Sequence, residues 1–278
     1  MILDEIKQII IIMRELLTAN KQIIYLIFPI IVTILFGCNK AELSKEMFSL
    51  ELMNKFNINI EEPSGLDLSL DNKSLWTVSD KHSKIYQLDL TGQILKEISI
   101  PGNGFEGITL DLDGNTLWVV QESQGELLQI DTLGNEILKI NIIGAGGGSS
   151  GLEGITINST NNHIFLLKEK NPSVLIELNT NLETILFKRI YSALDYSGMD
   201  YNEIENELWI VSDQEKKVYR CDMSGNVLMS YLIDIKKAEG IAFDSENNLI
   251  YIVSDSADIL YIYRLNKSTF CKELIKLN

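Results

Sequence analysis

The sequence predicts an all-β protein, a five-bladed β-propeller of four-stranded antiparallel blades that follows an N-terminal signal or anchor segment. A short phrase built round a glycine recurs five times, with its glycines at positions 65, 107, 154, 198 and 240. After each copy come a turn and an apolar strand that ends in an acidic residue. No stretch after residue 60 shows sustained helical periodicity. A repeat of about 40–50 residues with several short strands is typical of a propeller blade.

Residues 1–38 have the pattern of a secretory leader. The run from Ile23 to Gly37 is almost entirely apolar, and basic residues precede it. It ends in a Leu-Phe-Gly-Cys sequence that resembles a bacterial lipobox, which implies cleavage before Cys38 and acylation of that cysteine. The alternative is an uncleaved anchor, although the run is shorter than the ~20 residues of a spanning helix and contains Pro29. Either alternative anchors the chain to the plasma or outer membrane and places the rest of it outside the cytoplasm.

A tether and a closing strand are predicted next. Residues 39–54 are polar and mixed in charge, which is typical of a tether. Apolar and polar residues alternate from Lys55 to Ile60 and predict a strand. We expect this strand to pair with the outside of the last blade, because an open propeller leaves sheet edges exposed. The propeller is therefore expected over residues 55–278, with its last strand at about Phe270–Lys276.

Each repeat predicts four strands joined by turns that contain Asp, Asn or Gly. The second strands are the most apolar, as expected where both faces of a strand are buried, and the three tryptophans at equivalent second-strand positions are predicted to lie in the core. The glycine-rich segment 144–150 is expected to connect blades two and three flexibly. In blade one the strands are expected at about Gly65–Leu70, Ser74–Ser79, Lys84–Asp89 and Ile94–Ile100.

The charge of the chain limits its partners. The formal net charge of -15 argues against nucleic acid, whose phosphates need a basic surface. It also argues against adsorption to anionic lipid, and it suits a protein that binds cations. The alternative is that acidity only keeps the protein soluble.

Every blade supplies two acidic residues to one rim of the propeller. In an antiparallel blade the first strand begins where the second strand ends, so the acids at both places meet at the same rim. The first ring, at the start of the innermost strands, is Glu62, Glu106, Glu153, Asp195 and Glu239. The second ring, at the ends of the second strands, is Asp80, Glu122, Glu169, Asp213 and Asp255.

Carboxylates crowded round one axis need neutralisation. Two unit charges 4 Å apart repel by about 4 kcal/mol at an effective dielectric of 20. Protons, basic side chains or a metal ion can relieve this repulsion. Lys81, Lys168 and Lys170 adjoin the second ring and are expected to neutralise part of it, whereas no Lys or Arg directly adjoins the first ring. A wide ring of carboxylate oxygens suits Ca²⁺, and the alternative is that the acids cap strands by accepting backbone N–H bonds.

The metal ligands are expected to come from the first ring. Glu106, Glu153 and Glu239 are the strongest candidates because each stands in a Glu-Gly phrase. Ser64 and Ser197 take the place of that glutamate in the other two blades, so Glu62 and Asp195 are the weaker candidates. The ring is therefore not five-fold, and the ion is expected off the axis.

These residues resemble a known family. The Glu-x-Ser-Gly-Leu phrase at Glu62, the later Glu-Gly-Ile phrases and the strands that end in Val-Ser-Asp resemble the SdiA-regulated, or YjiK-like, domain from about Lys55 to the C-terminus. NHL-repeat and gluconolactonase-type propellers are similar more distantly. The resemblance implies a five-bladed propeller on a bacterial envelope protein with calcium at Glu106, Glu153 and Glu239. It implies no established reaction.

Three functions remain open. The first is a calcium-binding, membrane-anchored extracytoplasmic propeller that acts as a binding or signalling module of the cell envelope, with a protein or small-molecule ligand at the acidic rim. The second is a calcium-dependent hydrolase of the lactonase or phosphoesterase type, in which the channel calcium is the Lewis acid and His82, just after Asp80, is the candidate base. The third is a structural interaction module with a stabilising ion. Because propellers support many functions, the fold alone does not choose among them.

Overall fold

The computed structural model describes residues 45–146 and 150–270. Phe48–Lys267 form one compact unit. A second unit consists of Met1–Met47 and Ser268–Asn278, of which only residues 45–47 and 268–270 are described. The predicted leader, including Cys38, lies outside the described residues. Within them, no helix has the length and apolar character needed to cross a membrane.

The described residues form twenty strands in five four-stranded sheets, which confirms the predicted propeller. Blade one consists of β2 (Pro63–Leu68), β3 (Ser74–Ser79), β4 (Lys84–Asp89) and β5 (Ile94–Ser99). Blade two consists of β6 (Phe105–Leu110), β7 (Thr116–Gln121), β8 (Glu126–Asp131) and β9 (Glu136–Asn141). Blade three consists of β10 (Leu152–Asn158), β11 (His163–Lys168), β12 (Val174–Leu178) and β13 (Thr184–Arg189).

The last two blades complete the ring. Blade four consists of β14 (Gly198–Asn202), β15 (Glu207–Ser212), β16 (Lys217–Cys221) and β17 (Val227–Leu232). Blade five consists of β18 (Ala238–Asp244), β19 (Leu249–Ser254), β20 (Ile259–Phe270) and, outermost, β1 (Lys45–Asn57). The innermost strands β2, β6, β10, β14 and β18 contact one another in this order, and β18 contacts β2, so they enclose a central channel.

The recurring glycine is explained by the close approach of neighbouring innermost strands. A Cβ atom at Gly107 would lie 2.6 Å from the carbonyl oxygen of Glu153. A Cβ atom at Gly198 would lie 2.3 Å from the carbonyl oxygen of Glu239. Because only glycine lets these backbones come so close, the phrase marks each contact between adjacent blades.

The closing strand corrects two boundaries. β1 begins at Lys45, so residues 45–54, predicted as a tether, belong to a strand that takes the outer place in blade five. The strand predicted at Phe270–Lys276 does not take that place, and Phe270, the one described residue of that range, ends β20. An outer strand buries only one face, and here Phe48 and Leu50 pack against the core. From Glu51 to Lys55 every residue is exposed, including the apolar Leu52 and Met53, so no clean alternation marks this part of the strand.

The core lies between the blades. The second strands are buried almost throughout, and the three tryptophans are buried as predicted, with exposed fractions of 0–6%. Trp209 stacks on Tyr231 of its own blade and on Phe243 of the next. Such contacts hold each blade against its neighbour, so the channel keeps a fixed geometry.

Candidate functional site

A cavity of about 340 Å³ opens at the end of the channel where the innermost strands begin. All ten acids of the two rings line it. Its other lining residues are Ser64, Lys170, Ser197, Gln214 and Lys237. Ten carboxylates therefore face two ammonium groups in one small space. This acidic cavity is the candidate functional site.

Local backbone geometry aims the first ring into the cavity. The pairing of β10 with β11 has a register shift between Leu152 and Gly154, which leaves Glu153 as the extra residue. The pairing of β18 with β19 has the same shift at Glu239, and β6 with β7 has one that includes Glu106. A β-bulge bends the strand and redirects a side chain. The Glu-Gly phrase is thus the sequence of a bulge whose glutamate turns toward the channel.

The three Glu-Gly glutamates resist ionisation. Burial, with repulsion from Asp80 and other acids, raises the pKa of Glu106 well above its usual range. Burial, with repulsion from the neighbouring glutamates, does the same to the pKa of Glu153, whose exposed fraction is 8%. Burial raises the pKa of Glu239 to about 8. Within the described residues none of the three forms an ion pair, and the buried Ser64 hydroxyl beside Glu106 makes no regular hydrogen bond.

Several other ring acids are already paired, as the strand-cap alternative expected. Asp195 accepts hydrogen bonds from the Ser212 hydroxyl and from the backbone N–H of Gln214 at 3.2 Å. Asp213 accepts the N–H of Lys237 at 2.6 Å, and the ammonium group of the same lysine lies 2.5 Å from Asp255. Glu62 lies 3.8 Å from Lys81, so these acids carry structural contacts that the Glu-Gly glutamates lack.

The lysines are not arranged as the sequence suggested. Lys81 pairs with Glu61 at 2.6 Å, away from the second ring. The buried Lys168 ammonium donates to the carbonyl oxygens of Ser150 and Lys170 rather than to a ring acid. Lys170 does contact the second ring, through Glu169. Lys237 was not predicted from the sequence as a partner of the second ring. It lies two residues before Glu239, a first-ring acid, and contacts the second-ring acid Asp255 from the neighbouring strand of the blade.

One carboxylate cluster has the spacing of a metal site. Single carboxylate oxygens of Glu122, Glu153 and Glu169 all lie within 4.8 Å of one another. No other group of three acids, histidines or cysteines in the described part of the chain meets that distance. Glu153 thus joins two second-ring acids in this group, and Glu106 and Glu239 are not members of it. The second ring has glutamate only in blades two and three, and the extra methylene group lengthens the reach of both side chains.

His82 lies outside the cavity. Its ring Nε2 is 3.4 Å from Glu61, and its side chain is 44% exposed. The lining residues include no histidine and no cysteine among the described part of the chain. A hydrolase would therefore lack the base that the sequence proposed.

Two acids at the opposite end of the channel were missed. Asp67 and Asp200 line a second cavity of about 200 Å³, and burial raises their pKa values to about 6 and about 8 respectively. Asp67 accepts the N–H of Leu110 at 2.6 Å, and Asp200 accepts the N–H of Phe243 at 2.6 Å. Each bond joins adjacent innermost strands. The signal was present, since these acids occur only in the two blades where serine replaces the Glu-Gly glutamate.

Comparison with known proteins agrees with the fold. A family model described as SdiA-regulated matches residues 40–264. Glutaminyl cyclase from Myxococcus xanthus is 13% identical, with a TM-score of 0.61 over 80% of this chain and 98% of that one. The PQQ-bound form of aldose sugar dehydrogenase from Streptomyces coelicolor is 12% identical, with a TM-score of 0.52 over 81% of this chain and 100% of that one. At these identities the similarity to solved structures is one of fold.

Proposed function

The chain belongs to the SdiA-regulated family, and we propose that it is a calcium-binding, membrane-anchored β-propeller that acts outside the cytoplasm as a binding or signalling module of the bacterial cell envelope. The single observation that carries this proposal is the acidic cavity, where ten carboxylates face two lysines. Carboxylates gathered so closely need protons, basic side chains or a metal ion to relieve their repulsion, and a divalent cation would relieve it most fully.

Calcium fits the donor set better than other metals. Ca²⁺ takes 6–8 oxygen ligands at about 2.3–2.6 Å and tolerates irregular geometry, whereas Mg²⁺ requires a near-ideal octahedron. Zn²⁺ prefers nitrogen and sulfur, and neither His nor Cys lines the cavity in the described part of the chain. The spacing of Glu122, Glu153 and Glu169 supports an off-axis ion held by these three residues. Glu106 and Glu239 lie outside this group of three, so we do not propose them as direct ligands.

The residues that line the cavity also bear on the two competing functions. A calcium-dependent hydrolase has less support, because its candidate base His82 contacts Glu61 outside the cavity. A purely structural ion would need no access to solvent, yet the second-ring acids and both lysines at the mouth are partly exposed. A binding or signalling role therefore has the best support.

Calorimetric titration of the purified full-length chain with CaCl₂ tests the proposal. We expect saturable binding and a raised melting temperature, because a ligand that binds only the folded state stabilises it by about 2.7 kcal/mol at 100 times its Kd. MgCl₂ serves as the matched control and should bind more weakly. If calcium gives neither heat nor stabilisation, the acids are strand caps, and the search should turn to cationic protein partners.

The anchor has a separate test. Cys38, outside the described residues, is the proposed acylation site. We expect Cys38→Ala to move the protein from the membrane fraction to the soluble fraction and to abolish labelling by a radioactive fatty acid. A variant that still fractionates with membranes would instead favour an uncleaved helical anchor.

A further inference from the structure

The two lysines in the acidic cavity stand in different relations to the glutamate cluster. The Lys170 ammonium contacts Glu169, one of the three clustered acids. The Lys237 ammonium contacts Asp255, which is not part of the cluster. The two side chains are otherwise comparable, since each lines the same cavity and each is partly exposed, at 34% and 52%.

We propose that Lys170 is an internal counter-ion that competes with calcium for Glu169 and thereby sets the affinity of the site. This inference rests on the calcium site proposed above. When the ion binds, the ammonium group leaves Glu169 and turns toward the mouth of the cavity. When the ion leaves, Lys170 returns and neutralises part of the cluster.

The competition follows from distance. A Ca²⁺–oxygen bond is about 2.4 Å long, and a charged N–H···O contact is about 2.8 Å between heavy atoms. Two cations that shared the Glu169 carboxylate would therefore lie only about 4–5 Å apart and would repel strongly. Since Glu169 has an exposed fraction of only 14% in its side chain, little water is present to screen that repulsion.

Lys170 is able to move, and its neighbour Lys168 is not. Lys170 lies in the loop between β11 and β12, and its flexible four-carbon stem ends in a partly exposed ammonium group. The charge of Asp195, which is not one of the three clustered acids, also acts on Lys170. Lys168 is buried and bonded to two carbonyl oxygens, so it remains fixed.

A built-in competitor weakens the site without removing a ligand. Extracellular calcium modules bind with a Kd of about 10⁻⁴–10⁻³ M, a range suited to calcium outside the cytoplasm. Lys170 would move this site toward that range and would make its loading responsive to the surrounding ion concentration. This is the behaviour that a signalling module of the envelope requires.

Calcium titration of three full-length variants tests the inference. We expect Lys170→Met to lower the Kd by about tenfold or more, because it removes the competing cation. Lys170→Arg retains the charge and should stay close to the wild-type Kd. Lys237→Met, the matched control, removes the same charge from the same cavity but not from the cluster, and should lower the Kd by less than about threefold. Equal effects of Lys170→Met and Lys237→Met would overturn the proposal and leave only a general electrostatic effect.

A second measurement uses the wild-type protein and does not depend on a variant that folds. Each lysine is acylated with a limiting amine reagent, and the modified positions are quantified by mass spectrometry. We expect calcium to increase the labelling rate of Lys170 several-fold while that of Lys237 changes little. If calcium binds and the labelling of Lys170 is unchanged, the proposal that Lys170 competes with calcium is wrong, but the proposed calcium site is retained. If calcium binds neither wild type nor variants, both proposals fail together.

Discussion

The two ends of the channel hold buried carboxylates that differ in their partners. At the acidic cavity Glu153 has a raised pKa and no hydrogen bond or ion pair within the described residues. At the opposite end Asp200 also has a raised pKa. Its carboxyl group, however, accepts hydrogen bonds from the backbone N–H groups of Tyr201 and Phe243 and from the hydroxyl group of Thr156. A raised pKa alone therefore does not identify a site. Satisfied hydrogen bonds mark a structural acid, and their absence marks a carboxylate that is available to a ligand.

The largest expected effect is on calcium binding, which substitutions at the acidic cavity should weaken and substitutions at the opposite end of the channel should not. Replacing Glu122, Glu153 and Glu169 together with Gln should weaken binding at least about 100-fold, about 3 kcal/mol, because the proposed ligand oxygens lose their charge. Asp67→Asn with Asp200→Asn, at the other end, should leave the Kd within about twofold. Calorimetry measures both. If Glu106→Gln with Glu239→Gln abolishes binding while the triple variant retains it, the ion lies on the axis, among the Glu-Gly glutamates.

Sequence predicted most of the architecture because the repeat is strict. The four strands of blade one were expected within two residues of their observed bounds, since turn residues and apolar runs mark them clearly. The convergence of the ten ring acids also followed from the antiparallel order of the strands. β1 was underestimated because the neighbouring residues Leu52 and Met53 are both apolar and both exposed, which breaks the alternation of apolar and polar residues in the middle of the strand.

The exact membership of the site could not be predicted. The repeat symmetry suggested that equivalent acids surround the axis. In the structure, the length of each side chain determines which carboxylates come close together. The cluster at Glu122, Glu153 and Glu169 depends on side-chain length and on the bulge at Glu153, neither of which a repeat alignment weighs. Lys237 and Asp200 were missed for a related reason, since their partners lie across a blade or on the next one.

The second expected effect concerns stability and should appear only at the opposite end. Asp200→Ala leaves the buried N–H groups of Tyr201 and Phe243 without an acceptor, and should lower the free energy of unfolding by about 2–3 kcal/mol. Glu153→Gln should not destabilise the metal-free protein, because the buried carboxyl group has a raised pKa and no hydrogen-bond or ion-pair partner to lose. Urea denaturation in the presence of a chelator measures both. Equal losses would show that the two ends are held by acids in the same way.

The third effect is a dependence on pH. Because the pKa of Asp200 is about 8 in the folded protein, above its usual value near 3.8, the folded state binds the proton more tightly than the unfolded state. The resulting stability is fully present below pH ~4 and is lost as pH rises through about 8, with a slope of at most about 1.4 kcal/mol per pH unit. Asp67 adds a similar loss up to pH about 6.

Asp200→Asn isolates this contribution. The variant cannot ionise, so its melting temperature should fall less steeply than that of the wild type between pH 5 and 8 when both are free of metal. The matched control is Asp222→Asn, at an exposed turn where hydrogen bonds lower the pKa of the carboxyl instead. A wild-type curve that runs parallel to that of Asp200→Asn would mean that Asp200 ionises normally in the folded protein.

The smallest expected effect tests the hydrogen bond between blades three and four. The Thr156 hydroxyl donates to Asp200 at 3.0 Å and favours the ionised carboxylate. Thr156→Val keeps the shape but removes the donor, and should cost about 0.5–1.5 kcal/mol. Because the lost bond serves the charged form, the cost should grow as pH rises through about 8 and be smallest below it. Ser64→Ala, beside Glu106, is the counterpart at the acidic cavity and should change stability less, because its buried hydroxyl has no regular hydrogen bond to lose. A pH-independent cost at Thr156 would show that packing, rather than the carboxylate, joins these blades.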